Sequence, residues 1–160
     1  KIEARNIIKK LTNQLNEIYV SYQEFESEFI NLTYTTKSNN SDNVITKYVV
    51  NKIASYYEGK EIFEDDGSIE HILPESNDIK NNNIGNLILL EQVLNGEADC
   101  LEYIDKITVY KKSSYKWIKE FVSSNTEWSD DKIQERSKKL SEFYYTKILA
   151  KKISLNALKR

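Results

Sequence analysis

With 160 residues, of which 39% are hydrophobic and 11% aromatic, the chain is long enough for one domain with a packed core and too short for two of ordinary size. Its one cysteine, Cys100, can form no internal disulfide, and with a single histidine it can supply no structural zinc cage, so a reducing, cytoplasmic setting is expected. The net charge of -2 hides an asymmetry: residues 1–105 carry 9 Lys and Arg against 19 Asp and Glu, a balance of -10, whereas residues 106–160 carry 14 against 6, a balance of +8.

A basic C-terminal part admits an acidic partner such as nucleic acid, although lysines on solvated helix faces are about twice as common an explanation. No apolar stretch approaches the roughly twenty residues that cross a bilayer, and no secretory signal pattern opens the chain. A soluble protein with no membrane partner is expected. Methionine is absent, so the sequence is expected to be a piece of a larger protein whose regulatory or specificity domain lies elsewhere.

Along the chain, Leu11, Leu15, Ile18, Tyr22, Phe25 and Phe29 alternate by four and three, which predicts a helix with one buried seam. The Ser- and Asn-rich run from Thr35 to Asn43 reads as a loop. A second helix with Val44, Tyr48, Ile53 and Tyr56 or Tyr57 on its apolar side ends near Gly59. Acidic turn residues follow from Lys60 to Gly67, and Ser68 to Leu73 is short and apolar, as a strand requires. Pro74 cannot donate to a sheet and should end that strand, leaving His71 near its C-terminal end.

The polar run Glu75–Asn83 reads as a loop, and Leu87–Leu90 as a second strand entered through Gly85 and Asn86, residues that tolerate positive backbone angles. Beyond Asn95 the pattern is helical again, with Leu101, Ile104 and Val109 apolar and Lys106, Lys111 and Lys112 on the polar side. A short helix carries Trp117, Ile118 and Phe121. The last helix has the clearest start, Ser129 as cap with Asp130 and Asp131 in the first turn, then Ile133, Leu140, Phe143, Tyr144 and Ile148 as its stripe. There is no internal repeat and no glycine-rich phosphate loop.

The single histidine and the single proline fall in one run, Glu70-His71-Ile72-Leu73-Pro74, with Asn86 and Asn95 following 15 and 24 residues after the histidine. Phosphodiester hydrolysis needs a base for water, a cation beside the scissile phosphate and rigid positioning of both. His71 can be the base, since an imidazole titrates near neutrality. Glu70 and Asn95 offer hard oxygens that suit magnesium or manganese. Neighbouring strand residues point to opposite faces, so Glu70 and His71 converge only if the strand is distorted or one of them acts from its end. Asn86 reads as an organiser whose amide bonds backbone across the loop and holds His71.

Taken singly, each residue has a plainer role. A lone histidine is structural more often than catalytic, Glu70 is a surface carboxylate, Asn86 a turn former and Asn95 a helix cap. Their joint spacing reverses those odds.

The Glu70-His71-Ile72-Leu73-Pro74, Gly85-Asn86-Leu87-Ile88-Leu89-Leu90 and Leu94-Asn95 runs together resemble the HNH-type, ββα-metal nuclease core in the C-terminal domain of GmrSD-type restriction endonucleases and of SspE-like nucleases. The same frame, with Asp in place of Glu70, resembles the HNH domain of RNA-guided CRISPR nucleases. Lys47 to Ile53 is similar to the helix that precedes the motif, Tyr103, Lys106, Tyr110 and Ser113 or Ser114 to the family's aromatic, lysine, serine pattern, and Trp128, Ile133, Arg136 and Leu140 to its tryptophan and arginine helix.

The fold expected over residues 1–160 is a mainly helical α+β domain, with a helical part at 1–59, a small ββα-metal unit at 68–110 embedded among helices, and C-terminal helices at 114–155; the resemblance itself covers roughly residues 44–145. It implies metal-dependent cleavage or nicking of DNA in phage defence or modification-dependent restriction. His71 would be the general base, Glu70 and Asn95 would hold magnesium or manganese, and Asn86 would organise the loop. An N-terminal ParB-like NTPase and sensor domain would be the partner. Lys106, Lys112 and Arg136 are the candidate DNA contacts. The competing expectations are an inactive HNH-type fold that only binds DNA and a helical protein-interaction module.

Overall fold

A computed structural model describes residues 5–11, 20–37, 41–59, 67–75 and 78–153. The described residues form seven helices and a two-stranded sheet: α1 (5–11), α2 (Tyr22–Phe29), α3 (Asp42–Glu58), α4 (Gln92–Ala98), α5 (Tyr103–Tyr110), α6 (Lys116–Ser124) and α7 (Asp130–Phe143), with β1 (Gly67–His71) and β2 (Leu87–Glu91) between α3 and α4. The domain is thus mainly helical α+β. No helix among the described residues is long and apolar enough to cross a membrane.

The strands are antiparallel, with Gly67 opposite Glu91 and His71 opposite Leu87. Leu87, Ile88, Leu89 and Leu90 are each fully buried, so β2 is covered on both faces and its unbroken apolar run is explained. Helix α3 covers it with Val49, Val50, Ile53 and Ala54, and α6 adds Trp117, Ile118 and Phe121. Helix α4 follows β2 directly and packs back on β1.

Several elements depart from the sequence reading for identifiable reasons. The first seam is interrupted: Leu15 and Ile18 lie outside the described residues, Leu11 is exposed, and α2 starts afresh at Tyr22. Ser21 caps it, its hydroxyl accepting from Glu24 N while the Glu24 carboxylate accepts from Ser21 N, a reciprocal capping box. Tyr22, Phe25 and Phe29 then pack on Tyr144 and Tyr145 beyond α7.

Helix α3 ends at Gly59 in the left-handed conformation, as its sequence predicts. Its buried face, however, carries Thr46, Val49, Val50 and Ile53, whereas Val44 and Tyr48 are exposed. Thr46 is inward because its hydroxyl donates to Thr33 O at 2.8 Å. In α5, Val109 is buried and Lys111 and Lys112 beyond its end are exposed, as expected, but Lys106 is buried with Tyr103 and Tyr110 while Ile104, and Leu101 before the helix, are exposed.

Strand β1 stops at His71, two residues short of Leu73, because the Asn86 side chain takes both backbone groups of Leu73. The expected loop before β2 contains two 3-10 turns, Ile79–Asn82 capped by Asp78 and Ile84–Asn86 capped by Asn83. Neither Gly85 nor Asn86 has positive φ. Glycine is required at 85 for closeness instead: a Cβ there would stand 2.0 Å from Ile133 O of α7. Helix α7 is capped by the Ser129 side chain, which accepts from Lys132 N.

Candidate active site

The end of β1 and the middle of α4 meet at a cavity of about 250 Å³ lined by Glu70, His71 and Asn95, with Thr36, Lys37, Glu75 and Asp99 among the remaining wall. Glu70 and His71, though adjacent on a strand, both border it, since His71 is the strand's last residue. Asn86, Lys106, Lys112 and Arg136 are not in its wall.

His71 is buried, and its Nε2 lies 3.0 Å from the carbonyl oxygen of Tyr34. A carbonyl oxygen only accepts, so Nε2 carries the proton and the lone pair is left on Nδ1. Burial pushes the imidazole pKa below its ordinary value, and the nearby Lys106 and Lys37 charges push it the same way. The Tyr34 bond and the Glu75 charge partly oppose them. A neutral imidazole with one committed nitrogen is the form that can take a proton.

Tyr34 reaches this position because the segment around it pairs with the chain before β2: Ile84 N donates to Leu32 O and Tyr34 N to Asn82 O, at 2.8 and 2.9 Å. Glu75 then fastens the next residues. Its carboxylate accepts from the hydroxyls of Thr35 and Thr36 and from Thr36 N. Burial alone would raise the Glu75 pKa, but these bonds outweigh it and hold the carboxyl below the usual range.

Glu70 is 3% exposed. Its Oε1 accepts from Lys106 Nζ at 2.7 Å and Tyr110 hydroxyl at 2.8 Å. Desolvation raises its pKa, and the Lys106 charge and both hydrogen bonds counter only part of that. Burial, and after it the Glu70 charge, drives the Tyr110 phenol well above its ordinary value.

Asn95 sits one turn into α4 rather than capping it, and its Nδ2 donates to Ser68 Oγ at 2.7 Å and Ile69 O at 3.0 Å. The Ile69 carbonyl fixes which end of the amide is nitrogen. No donor among the described residues bonds Oδ1. Asn86 is fully buried and uses its whole capacity: Nδ2 donates to Leu73 O and Asn81 O, both at 2.8 Å, and Oδ1 accepts from Leu73 N at 2.9 Å and Trp128 Nε1 at 3.0 Å. It joins the residues after His71 to the turn before β2.

Two of the three candidate DNA contacts are corrected by burial. Lys106 has no exposed surface, and its ammonium is shared between Glu70 and His71 O, the latter at 2.6 Å. The guanidinium of Arg136 is buried: Nη1 donates to Gly85 O at 2.6 Å and Leu87 O at 2.9 Å. The rings of Trp117, Phe121 and Trp128 surround its carbon at 5.2 to 5.9 Å. Burial pulls its pKa down to about 10. Lys112 alone is on the surface, paired with Glu97 at 2.6 Å.

Tyr34, Glu75 and Lys37 escaped the sequence reading. The first acts through a main-chain oxygen and leaves no residue-type signal, and the other two reach one cavity wall only because Thr36 bonds Glu75 across 39 positions. Tyr110, Trp128 and Ser113 were visible as family pattern but not as partners. They hold Glu70, Asn86 and Glu91, respectively.

Residues 19–143 match the model of one protein family, the C-terminal domain of GmrSD restriction endonucleases. No curated protein matches the chain at a significant level.

Proposed function

Starting from a chain that belongs to the family of GmrSD restriction endonuclease C-terminal domains, we propose that it hydrolyses DNA phosphodiesters as an HNH-type endonuclease in phage defence, with His71 as general base. One observation carries the reading: the single histidine is buried, its Nε2 tied to a main-chain carbonyl, in the same cavity as Glu70 and Asn95.

Water positioned against Nδ1 gives up its proton to the imidazole as its oxygen bonds to phosphorus, and the bond from phosphorus to a sugar oxygen breaks, that oxygen leaving with the electron pair and taking a proton from solvent water. The Tyr34 carbonyl stabilises the imidazolium that forms, because it already accepts from Nε2. Asn86, by holding Leu73 and Asn81, keeps the end of β1 and hence the imidazole in place.

The donor set fits a hard divalent cation. Asn95 is oriented by its two Nδ2 bonds so that Oδ1 is available, and the Lys106 and Tyr110 bonds to Glu70 both fall on Oε1. Among the described residues no three His, Cys, Asp or Glu side chains gather into a cage, and magnesium is commonly held by one or two protein oxygens with waters and substrate phosphates completing its shell. Magnesium or manganese bound there would offset the charge developing on the scissile phosphate and leaving oxygen. The ParB-like NTPase and sensor domain is the proposed partner that directs cutting to modified DNA.

Incubation of supercoiled plasmid with the wild-type chain and with His71→Ala, in magnesium or manganese, tests this. Nicked or linear product from the wild type alone supports the reading. Equal behaviour of the two proteins, with DNA still bound, would leave an inactive DNA-binding fold in its place.

A further inference from the structure

The wall of the catalytic cavity is rich in negative charge. Glu70, Glu75 and Asp99 all line it, and of these Glu70 alone has a buried cation to neutralise it, Lys106, which no ligand can reach. A phosphodiester entering such a cavity is repelled unless a cation meets it. Lys37 is the lysine of the wall. It is exposed, and among the described residues no carboxylate lies within ion-pair distance of it.

Its backbone is anchored on three sides although its side chain is not. Thr35 N donates to Asn43 Oδ1 at 3.0 Å, and Asn43 Nδ2 returns a bond to Thr35 O at 2.7 Å. Thr36 is held by Glu75, and Lys37 N donates to Thr35 Oγ1 at 3.2 Å. The same short segment presents the Tyr34 carbonyl to His71. A cation on an anchored backbone thus lines the same cavity as His71, within which a phosphodiester approaching that base would need its charge met.

We infer that Lys37 binds the phosphate of the DNA strand being cut, a role that rests on the nuclease reading for its chemistry but not for its affinity. Charge-assisted bonds of this kind correspond to a roughly 10- to 100-fold loss on removal. Lys37→Ala is expected to lower kcat/KM on plasmid by about that factor, with Lys37→Arg retaining most of it. Since the side chain is exposed, Tm should not move.

Affinity is read separately, with a labelled DNA duplex and the His71→Ala chain. Adding Lys37→Ala should reduce the slope of log affinity against log salt by about 1. Unchanged kcat/KM together with an unchanged slope overturns the inference while the nuclease reading stands. A wild type that binds DNA but never cuts defeats the nuclease reading, and the salt slope then decides Lys37 alone. A chain that binds no DNA overturns both.

Discussion

The ammonium of Lys106 stands 2.7 Å from Glu70 Oε1 and 2.6 Å from the carbonyl oxygen of His71, so one buried lysine on α5 grips two consecutive residues at the end of β1. Tyr110, one turn along α5, adds a second bond to Glu70. A basic residue expected on the solvent face is therefore part of what sets the end of β1, where Glu70 and His71 lie. Taking away one member of a buried pair leaves an uncompensated charge, at a cost of about 3–5 kcal/mol. Lys106→Met should lower stability by that amount in denaturant unfolding, and adding Glu70→Gln should restore part of it. A cost under about 1 kcal/mol for Lys106→Met would mean the pair holds nothing.

His71 links stability and activity to pH with the same sign. Its folded pKa lies below the ordinary 6.5 because burial disfavours the imidazolium. The unfolded chain therefore takes up the proton first as pH falls. Stability should be constant above about 6.5 and decline from there until the lower folded pKa is reached. His71→Ala should flatten that decline in Tm. For cleavage, the acid limb of kcat/KM reports the free enzyme's base, so it should lie below 6.5. An acid limb above 6.5 would show that another group takes the proton.

The legible parts of this chain were those written in local pattern. Ser129 with Asp130 and Asp131 marked the start of α7, Gly59 the end of α3, and the runs around His71 and Leu87 the two strands. Faces were less legible than elements. In α3 several apolar stripes compete, and Thr46 is buried only because the Thr33 carbonyl awaits its hydroxyl. Partnerships over long separations were not legible at all: Lys106 finds Glu70 across 36 positions and Trp128 finds Asn86 across 42. Ser21 and Glu24 did carry a readable signal, the spacing of a capping box, which the continuous apolar period masked.

Arg136 and Lys112 should separate in their response to substitution. The guanidinium makes two carbonyl bonds from one nitrogen and lies among three aromatic rings, an arrangement that an ammonium cannot reproduce. Arg136→Lys should lower stability by about 2 kcal/mol and leave the salt dependence of DNA binding unchanged. Lys112→Ala, on an exposed side chain, should spare stability and reduce that salt slope by about 1 if this lysine meets phosphate. A changed slope with an unchanged Tm in Arg136→Lys would return that residue to the DNA surface.

Gly85 packs the turn before β2 directly against the backbone of α7. A Cβ at this position would lie 2.0 Å from Ile133 O and 2.9 Å from Ile133 C, both main-chain atoms of a helix, so neither can swing aside as a side chain could. The helix or the turn must move bodily. Moving the turn strains the Arg136 bonds to Gly85 O and Leu87 O and displaces Asn86, whose amide holds Leu73 two residues from His71. Gly85→Ala should therefore cost at least the roughly 1–3 kcal/mol of an overpacked core, and it should lower cleavage even at temperatures where the variant is fully folded. Plasmid nicking and thermal melting on the same sample check this. Wild-type values in both would show that α7 does not restrain the turn, and Asn86 would then organise the site without help from the C-terminal helix.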